Sequence, residues 1–251
     1  MRPTAPAGHS SDHYEPGDAP GPDAFFAALH DLSAVLHDTP LRVLVMGGVS
    51  SASLARPRPT DDIDLFVHPE DAEELLEQLE AHGFRTERTN PTWLYKAWIH
   101  GVLVDVIFRS TGDIYLDDEM LARARRTTFK GAALPTVSPE DLIVIKAVAS
   151  TEASPHHWYD ALGVIARCDL DWSYLVERSR RFGPRRMLSL LLYAESTDLA
   201  VPSTAIDHLF EVVHPAPSQE HHPTQEHHPT TARNGTSTDR RATTEAASSR
   251  A

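Results

Sequence analysis

The chemistry-bearing residues of this 251-residue chain cluster between Leu41 and Val67, which read LRVLVMGGVSSASLARPRPTDDIDLFV. Asp62 and Asp64 flank Ile63 at the start of a β-type run, DIDLFV. Alternate residues of a strand share a face, so these two carboxylates point the same way, about 7 Å apart along the chain. Paired acids repel each other unless a cation sits between them. Upstream, the β-type run Leu41–Met46 ends in Gly47-Gly48. A diglycine lets backbone N–H groups come close to an anion, and a helix starting there would add its positive dipole end. The span thus encodes a hard-metal site beside a phosphate cradle.

Two residues further along extend this set. In GVLVDVIFRS, Asp105 is the one charge before Arg109 in an otherwise apolar strand, and a lone buried carboxylate costs several kcal/mol unless something pairs with it. In LIVIKAVA, Lys146 interrupts an apolar helix and must reach water, an acid or a phosphate.

The order Met46-Gly47-Gly48, a thirteen-residue spacer, then Asp62-Ile63-Asp64 resembles the signature of the DNA polymerase β-like nucleotidyltransferase superfamily. The wording Arg-Pro-Arg-Pro-Thr-Asp-Asp-Ile-Asp-Leu (Arg56 to Leu65) looks most like small bacterial nucleotidyltransferases, including the toxins of type IV toxin–antitoxin systems. The resemblance implies an α/β fold, a mixed sheet with flanking helices followed by a C-terminal helical subdomain. It implies transfer of a nucleoside monophosphate from an NTP to an acceptor hydroxyl, with release of pyrophosphate. Asp62, Asp64 and Asp105 would hold two Mg²⁺, with Asp105 on the attacking side. Gly47, Gly48 and Ser50 would cradle phosphates, Arg56 or Arg58 could reach them, and Lys146 would neutralise charge developing there. Asp160 is the positional match for an acid that related sequences keep near this lysine. The acceptor stays open between the 3′ end of an RNA, a protein side chain and a small molecule such as an aminoglycoside. The toxin-like wording favours RNA and brings the expectation of a cognate antitoxin. A non-catalytic nucleotide-binding module and a regulatory partner are the rivals of another class.

The elements that must position these residues are legible in outline. Residues 1–22, rich in Pro, Gly, Ala and Ser, are expected to be disordered, and residues 23–137 to form the nucleotidyltransferase core. There, Asp23 is expected to cap a helix to His37 with Phe25, Leu29, Leu32 and Leu36 on one face. A helix from His68-Pro69 to Gly83 follows the Asp62 strand. Phe84–Arg88, Trp93–Ile99 and Val102–Phe108 read as strands, the last two joined at His100-Gly101 as a hairpin. Leu116–Arg126 reads as a helix, and Phe129–Val137 as a strand pair turned at Gly131. Ser138-Pro139-Glu140-Asp141 is a helix start with an N-cap, a proline at N1 and an acid at N3. It opens the helical segment 138–214.

Residues 215–251 are expected to be unfolded and carry a doubled hexamer, Gln219–Thr224 and Gln225–Thr230, whose His-His pairs read as a linker rather than a metal sensor. The net charge of −13 excludes nucleic-acid binding driven by bulk charge and leaves only a local basic patch. One such patch is Arg185-Arg186, after Pro184 at a helix start, where positive charge opposes the dipole and calls for an anion. Arg178, Arg180 and Arg181, at the end of the preceding helix, suit its dipole. With 20 Arg and only 3 Lys (Lys96, Lys130 and Lys146), each lysine stands out. The single cysteine, Cys168, cannot form an intramolecular disulfide and fits a reducing cytoplasm. No apolar run has the length of a membrane span or the character of a signal peptide.

Overall fold

A computed structural model describes residues 21–55 and 57–215. The expectations for residues 1–20, for Arg56 and for the histidine-rich repeat lie outside the described residues. The elements run α1 (Pro22–Asp38), β1 (Val43–Met46), α2 (Gly47–Leu54), β2 (Asp62–Val67), α3 (Ala72–Ala81), β3 (Arg85–Asn90), β4 (Leu94–Ile99), β5 (Val102–Ile107), α4 (Asp118–Ala122), β6 (Arg125–Phe129), β7 (Ala132–Thr136) and then α5 (Pro139–Ala149), α6 (His156–Arg167), α7 (Trp172–Arg181), α8 (Pro184–Ser196) and α9 (Ser203–Val213). Among the described residues the strands form one mixed sheet in the order β3-β4-β5-β2-β1-β7-β6. Pairs β2–β5 and β1–β7 are parallel and the others antiparallel.

Strand alternation gives the sheet two unlike faces. Val43, Val45, Ile63, Leu65, Val67, Val102, Val104 and Val106 pack with the apolar stripes of α1 (Phe25, Leu29, Leu32) and α3 (Leu75, Leu76, Leu79). Each such side chain, taken wholly out of water, contributes about 1.5–3 kcal/mol. The opposite face carries Leu44, Met46, Phe66 and Ile107, which join a second core with α5, α6, α7 and α8. Asp62, Asp64 and Asp105 lie on this second face, because they alternate with Ile63, Leu65, Val104 and Val106 of the first.

Several boundaries differ from the sequence expectation for local reasons. Gly21 caps α1 and Pro22 occupies its first turn, so Asp23 lies within the helix rather than capping it. The helix expected from His68-Pro69 opens as a 3-10 turn, Pro69–Asp71, before α3. The expected Leu116–Arg126 helix is a single turn, α4, capped by Asp117, which accepts from the Met120 N–H. Arg125 and Arg126 leave it to pair with Thr136 and Pro135 of β7. Edge pairing overrides helix propensity there. The turns match expectation: His100 (φ 51°) and Gly101 (φ 79°) join β4 to β5, and the Ser138 hydroxyl caps α5 by accepting from the Asp141 N–H. No helix among the described residues is long and apolar enough to cross a membrane.

Candidate active site

Strand register assembles the acids. Asp64 of β2 stands directly opposite Asp105 of β5, and Met46 of β1 stands opposite Asp64 on its other side. The carboxylate oxygens of Asp62, Asp64 and Asp105 come within 4.8 Å of one another. Thr60 Oγ1 donates to Asp62 Oδ1 at 2.9 Å. The Gly48 N–H, at the start of α2, points at Asp64 Oδ2 across 3.4 Å. Asp105 Oδ1 is buried and has no hydrogen-bond partner among the described residues. A buried anionic oxygen left without a donor calls for a cation, and an all-carboxylate donor set fits a hard divalent ion such as Mg²⁺.

The glycines are required by space. Gly47 has φ +65°, and a Cβ built on it would fall 1.6 Å from Asp64 Oδ2. One built on Gly48 would fall 2.3 Å from Thr60 Oγ1 and 3.4 Å from Arg58 Nη2. The backbone of this turn therefore reaches the acids as closely as atoms allow. Ser50, expected in the phosphate cradle, is turned the other way: it is fully buried, and its hydroxyl donates to the Val45 carbonyl at 2.8 Å. It fastens α2 to β1 because a buried hydroxyl at that depth needs an acceptor.

Beside this turn sits a second charged group. Arg58 donates to both oxygens of Asp160, with Nε at 3.1 and 3.2 Å and Nη2 at 3.0 Å. Lys146 Nζ lies 3.3 Å from Asp160 Oδ2 and 3.3 Å from His157 Nδ1. Lys146, 3% exposed, thus reaches an acid, and Asp160, 0% exposed, lies between two cations. Burial opposes ionisation of Asp160, yet the Arg58 hydrogen bonds and Lys146 outweigh it and hold this carboxyl below the ordinary range.

Asp64 and Asp105 behave in the opposite sense. Burial first, then Asp62, pushes Asp64 up to about 6. Burial first, then Asp64, pushes Asp105 up to about 7, with Lys96 drawing it back. A carboxyl whose folded pKa is raised stabilises the fold below its unfolded value, and that contribution is lost as pH rises through the folded pKa. In the metal-free protein, stability should therefore fall between about pH 4 and pH 7, by on the order of several kcal/mol. Urea unfolding in EDTA at a series of pH values measures this. Asp105→Asn should flatten the decline, and an equally steep decline in that variant would remove Asp105 as its source.

Sequence reasoning did not single out Thr60, His157 or Lys96 for a role here. Thr60 had a readable signal, since a hydroxyl two residues before a strand-opening aspartate is placed to bond to it. Lys96 had its rarity. His157 had none, because its neighbour Lys146 arrives from another helix.

Residues 23–196 match the family described as "Uncharacterised nucleotidyltransferase". The chain belongs to that family. It is an enzyme that transfers nucleotidyl groups. No curated protein matches the chain. Among solved structures, the nucleotidyltransferase is similar to an antigenic nucleotidyltransferase-like protein from Paracoccidioides brasiliensis (17% identity, 74% of this chain and 94% of that one, TM-score 0.45). It is also similar to the antibiotic-resistance factor ANT(2'')-Ia (17% identity, 74% and 88%, TM-score 0.43). A third is the nucleotidyltransferase toxin MenT4 from Mycobacterium tuberculosis (16% identity, 79% and 75%, TM-score 0.34).

Away from the acids, the nucleotidyltransferase buries a further ionic group. Arg178, fully buried on α7, contacts Asp117 at 2.6 Å and Asp141 at 3.0 Å. Asp141 also accepts from Ser138 at 2.7 Å and from the Tyr174 hydroxyl at 3.0 Å. The helix dipole alone does not explain Arg178: it ties α7 to α4 and α5. Of the two arginines expected to meet an anion, Arg186 donates to the Ser150 carbonyl at 2.6 Å. Its acceptor is thus the end of α5. Arg185 is exposed.

Proposed function

We propose that this nucleotidyltransferase carries out Mg²⁺-dependent transfer of a nucleoside monophosphate from an NTP to an acceptor hydroxyl, with the 3′ end of an RNA as the acceptor. The observation that carries the reading is the convergence of Asp62, Asp64 and the unpartnered Asp105 Oδ1 beside the Gly47-Gly48 turn. Asp62, steadied by Thr60, and Asp64 would hold the metal with Asp105. A Mg²⁺ held by these acids would supply positive charge against the triphosphate and so favour in-line displacement. The N-terminus of α2, opened by Gly47 and Gly48, presents backbone N–H groups and its dipole to the phosphates. Arg58 and Lys146 add positive charge on that side, and Asp160 positions both. Asp105, on the far side of the acids, faces the attacking hydroxyl and helps it lose its proton. RNA as the acceptor, and a cognate antitoxin as the partner, rest on the likeness of the Arg56–Leu65 wording to type IV toxins.

Incubating the protein with each labelled NTP, Mg²⁺ and fractionated cell extract tests this. Label is expected in the RNA fraction. Asp62→Asn and Asp64→Asn should abolish transfer while leaving the fold intact or more stable, since each relieves repulsion between acids. Transfer at the wild-type rate in either variant would reject the metal assignment. Label in the small-molecule or protein fraction would reject RNA.

A further inference from the structure

The sheet face that carries the acids is covered on one side of them and open on the other. On the β1 side stand α2, Arg58, Lys146 and Asp160, the groups assigned to the triphosphate. On the other side, β5, β4 and β3 continue the same face. Register puts Lys96 opposite Asp105, so the row across the sheet reads Asp64, Asp105, Lys96, Glu87. The next row reads Asp62, Leu103, Trp98, Arg85. Directly opposed Cβ atoms are about 4.5–5.5 Å apart, so both rows adjoin the acids. Lys96, Trp98 and Leu103 are half-buried and Arg85 is exposed. Among the described residues Lys96 makes no hydrogen bond or ion pair. The Arg85 guanidinium lies over the Trp98 ring, 3.8 Å from its centroid.

An in-line displacement needs the acceptor on the side of the acids opposite the leaving pyrophosphate. The open side offers a half-exposed indole extended by a stacked guanidinium, and a lysine held by no hydrogen bond beside the acid assigned to the attacking oxygen. Planar π surfaces with a neighbouring cation suit a nucleobase followed by a phosphodiester. A polycationic acceptor would meet Lys96 and Arg85 as like charges, with Glu87 the one acid of these two rows beyond the metal-site aspartates. We propose that Lys96, Trp98 and Arg85 form the acceptor platform of this enzyme, and that it takes the single-stranded 3′ end of a nucleic acid. The proposal rests on the nucleotidyl-transfer reading for the placement of the two substrates.

The test uses the full chain, a fluorescein-labelled single-stranded RNA octamer with a free 3′ hydroxyl, kanamycin, and Mg²⁺ with a non-hydrolysable NTP analogue. Anisotropy should show octamer binding. Trp98→Leu and Lys96→Gln should each weaken it by about tenfold, and Lys96→Gln should lower the salt slope by about 0.7, one phosphate contact to a single strand. Trp98→Phe and Lys96→Arg should restore most of the affinity, which a merely structural role would not require. Binding of the NTP analogue by calorimetry should stay within about twofold in the two Trp98 variants, because the indole does not face the metal-site acids directly and the phosphates lie on their other side. Octamer affinity unchanged in Trp98→Leu and Lys96→Gln overturns the platform. So does an octamer that fails to bind, or kanamycin binding in its place. Wild-type protein that binds the octamer but no NTP analogue sinks the transfer reading instead, and the variants still decide whether the platform exists.

Discussion

Gly47→Ala is expected to cut nucleotidyl transfer by about a hundredfold or more, if Asp64 acts as proposed, because the added methyl would occupy the space of the Asp64 carboxylate. The gap from that Cβ to Asp64 Oδ2 is 1.6 Å, and Asp64 Cβ itself lies only 2.8 Å away. Either the carboxylate rotates out of the cluster or the turn withdraws from it. Displacement of a metal-holding group by about 1 Å is enough to cost two orders of magnitude or more. Gly83→Ala is the matched control. Its φ of +86° imposes similar backbone strain, yet its Cβ would meet nothing within 4 Å. That variant should lose roughly 1 kcal/mol of stability and keep its activity. Label transfer and Mg²⁺-dependent NTP binding, measured on both variants, separate strain from collision. Gly47→Ala with normal transfer would show that Asp64 is not needed where it stands.

The second large effect is on stability. Arg178→Ala should destabilise the fold by about 3–5 kcal/mol, the cost of leaving a buried charge without its partner. The charge left behind is chiefly Asp141, fully buried and then held only by Ser138 and Tyr174. Burial already raises the Asp141 pKa despite Arg178, so the variant should take up a proton at Asp141. Thermal unfolding should show a fall in Tm of about 10 °C for a domain of this size, and Arg178→Lys should recover part of it. A change of only a degree or two would mean that Asp141 is satisfied without the guanidinium. Transfer activity of any protein still folded should be near normal, because this group lies outside the proposed site.

What the sequence could convey follows from the range of each interaction. The two acids of β2, the diglycine turn, the β4–β5 hairpin and the Ser138 cap are local patterns, and the structure has each where the pattern places it. The lone charge in the β5 run marked Asp105, and the register of β2 against β5 brings it to Asp64. Helix α4 failed because Arg125 and Arg126 answer to a strand partner ten residues on, which helix propensity cannot report. Ser50 failed for a related reason. Serine near a glycine turn reads as a phosphate donor, while the direction of its hydroxyl depends on how α2 leans on β1. Arg178 and Arg186 both looked like surface charge or anion ligands, and both have partners on other elements.

The parallel pairing of β2 with β5 also bears on how the chain folds. The two strands are separated by α3, β3 and β4, so their pairing is a long-range event and slow compared with closing the β4–β5 hairpin. It sets Asp64 opposite Asp105, and like charges directly opposed across a ladder resist pairing. The acid cluster should thus act as a brake on the pairing of β2 with β5. Refolding in EDTA should speed up as pH falls through the range in which Asp64 and Asp105 take up protons. A divalent cation should release the same brake at neutral pH, acting as a folding ligand before it serves any substrate.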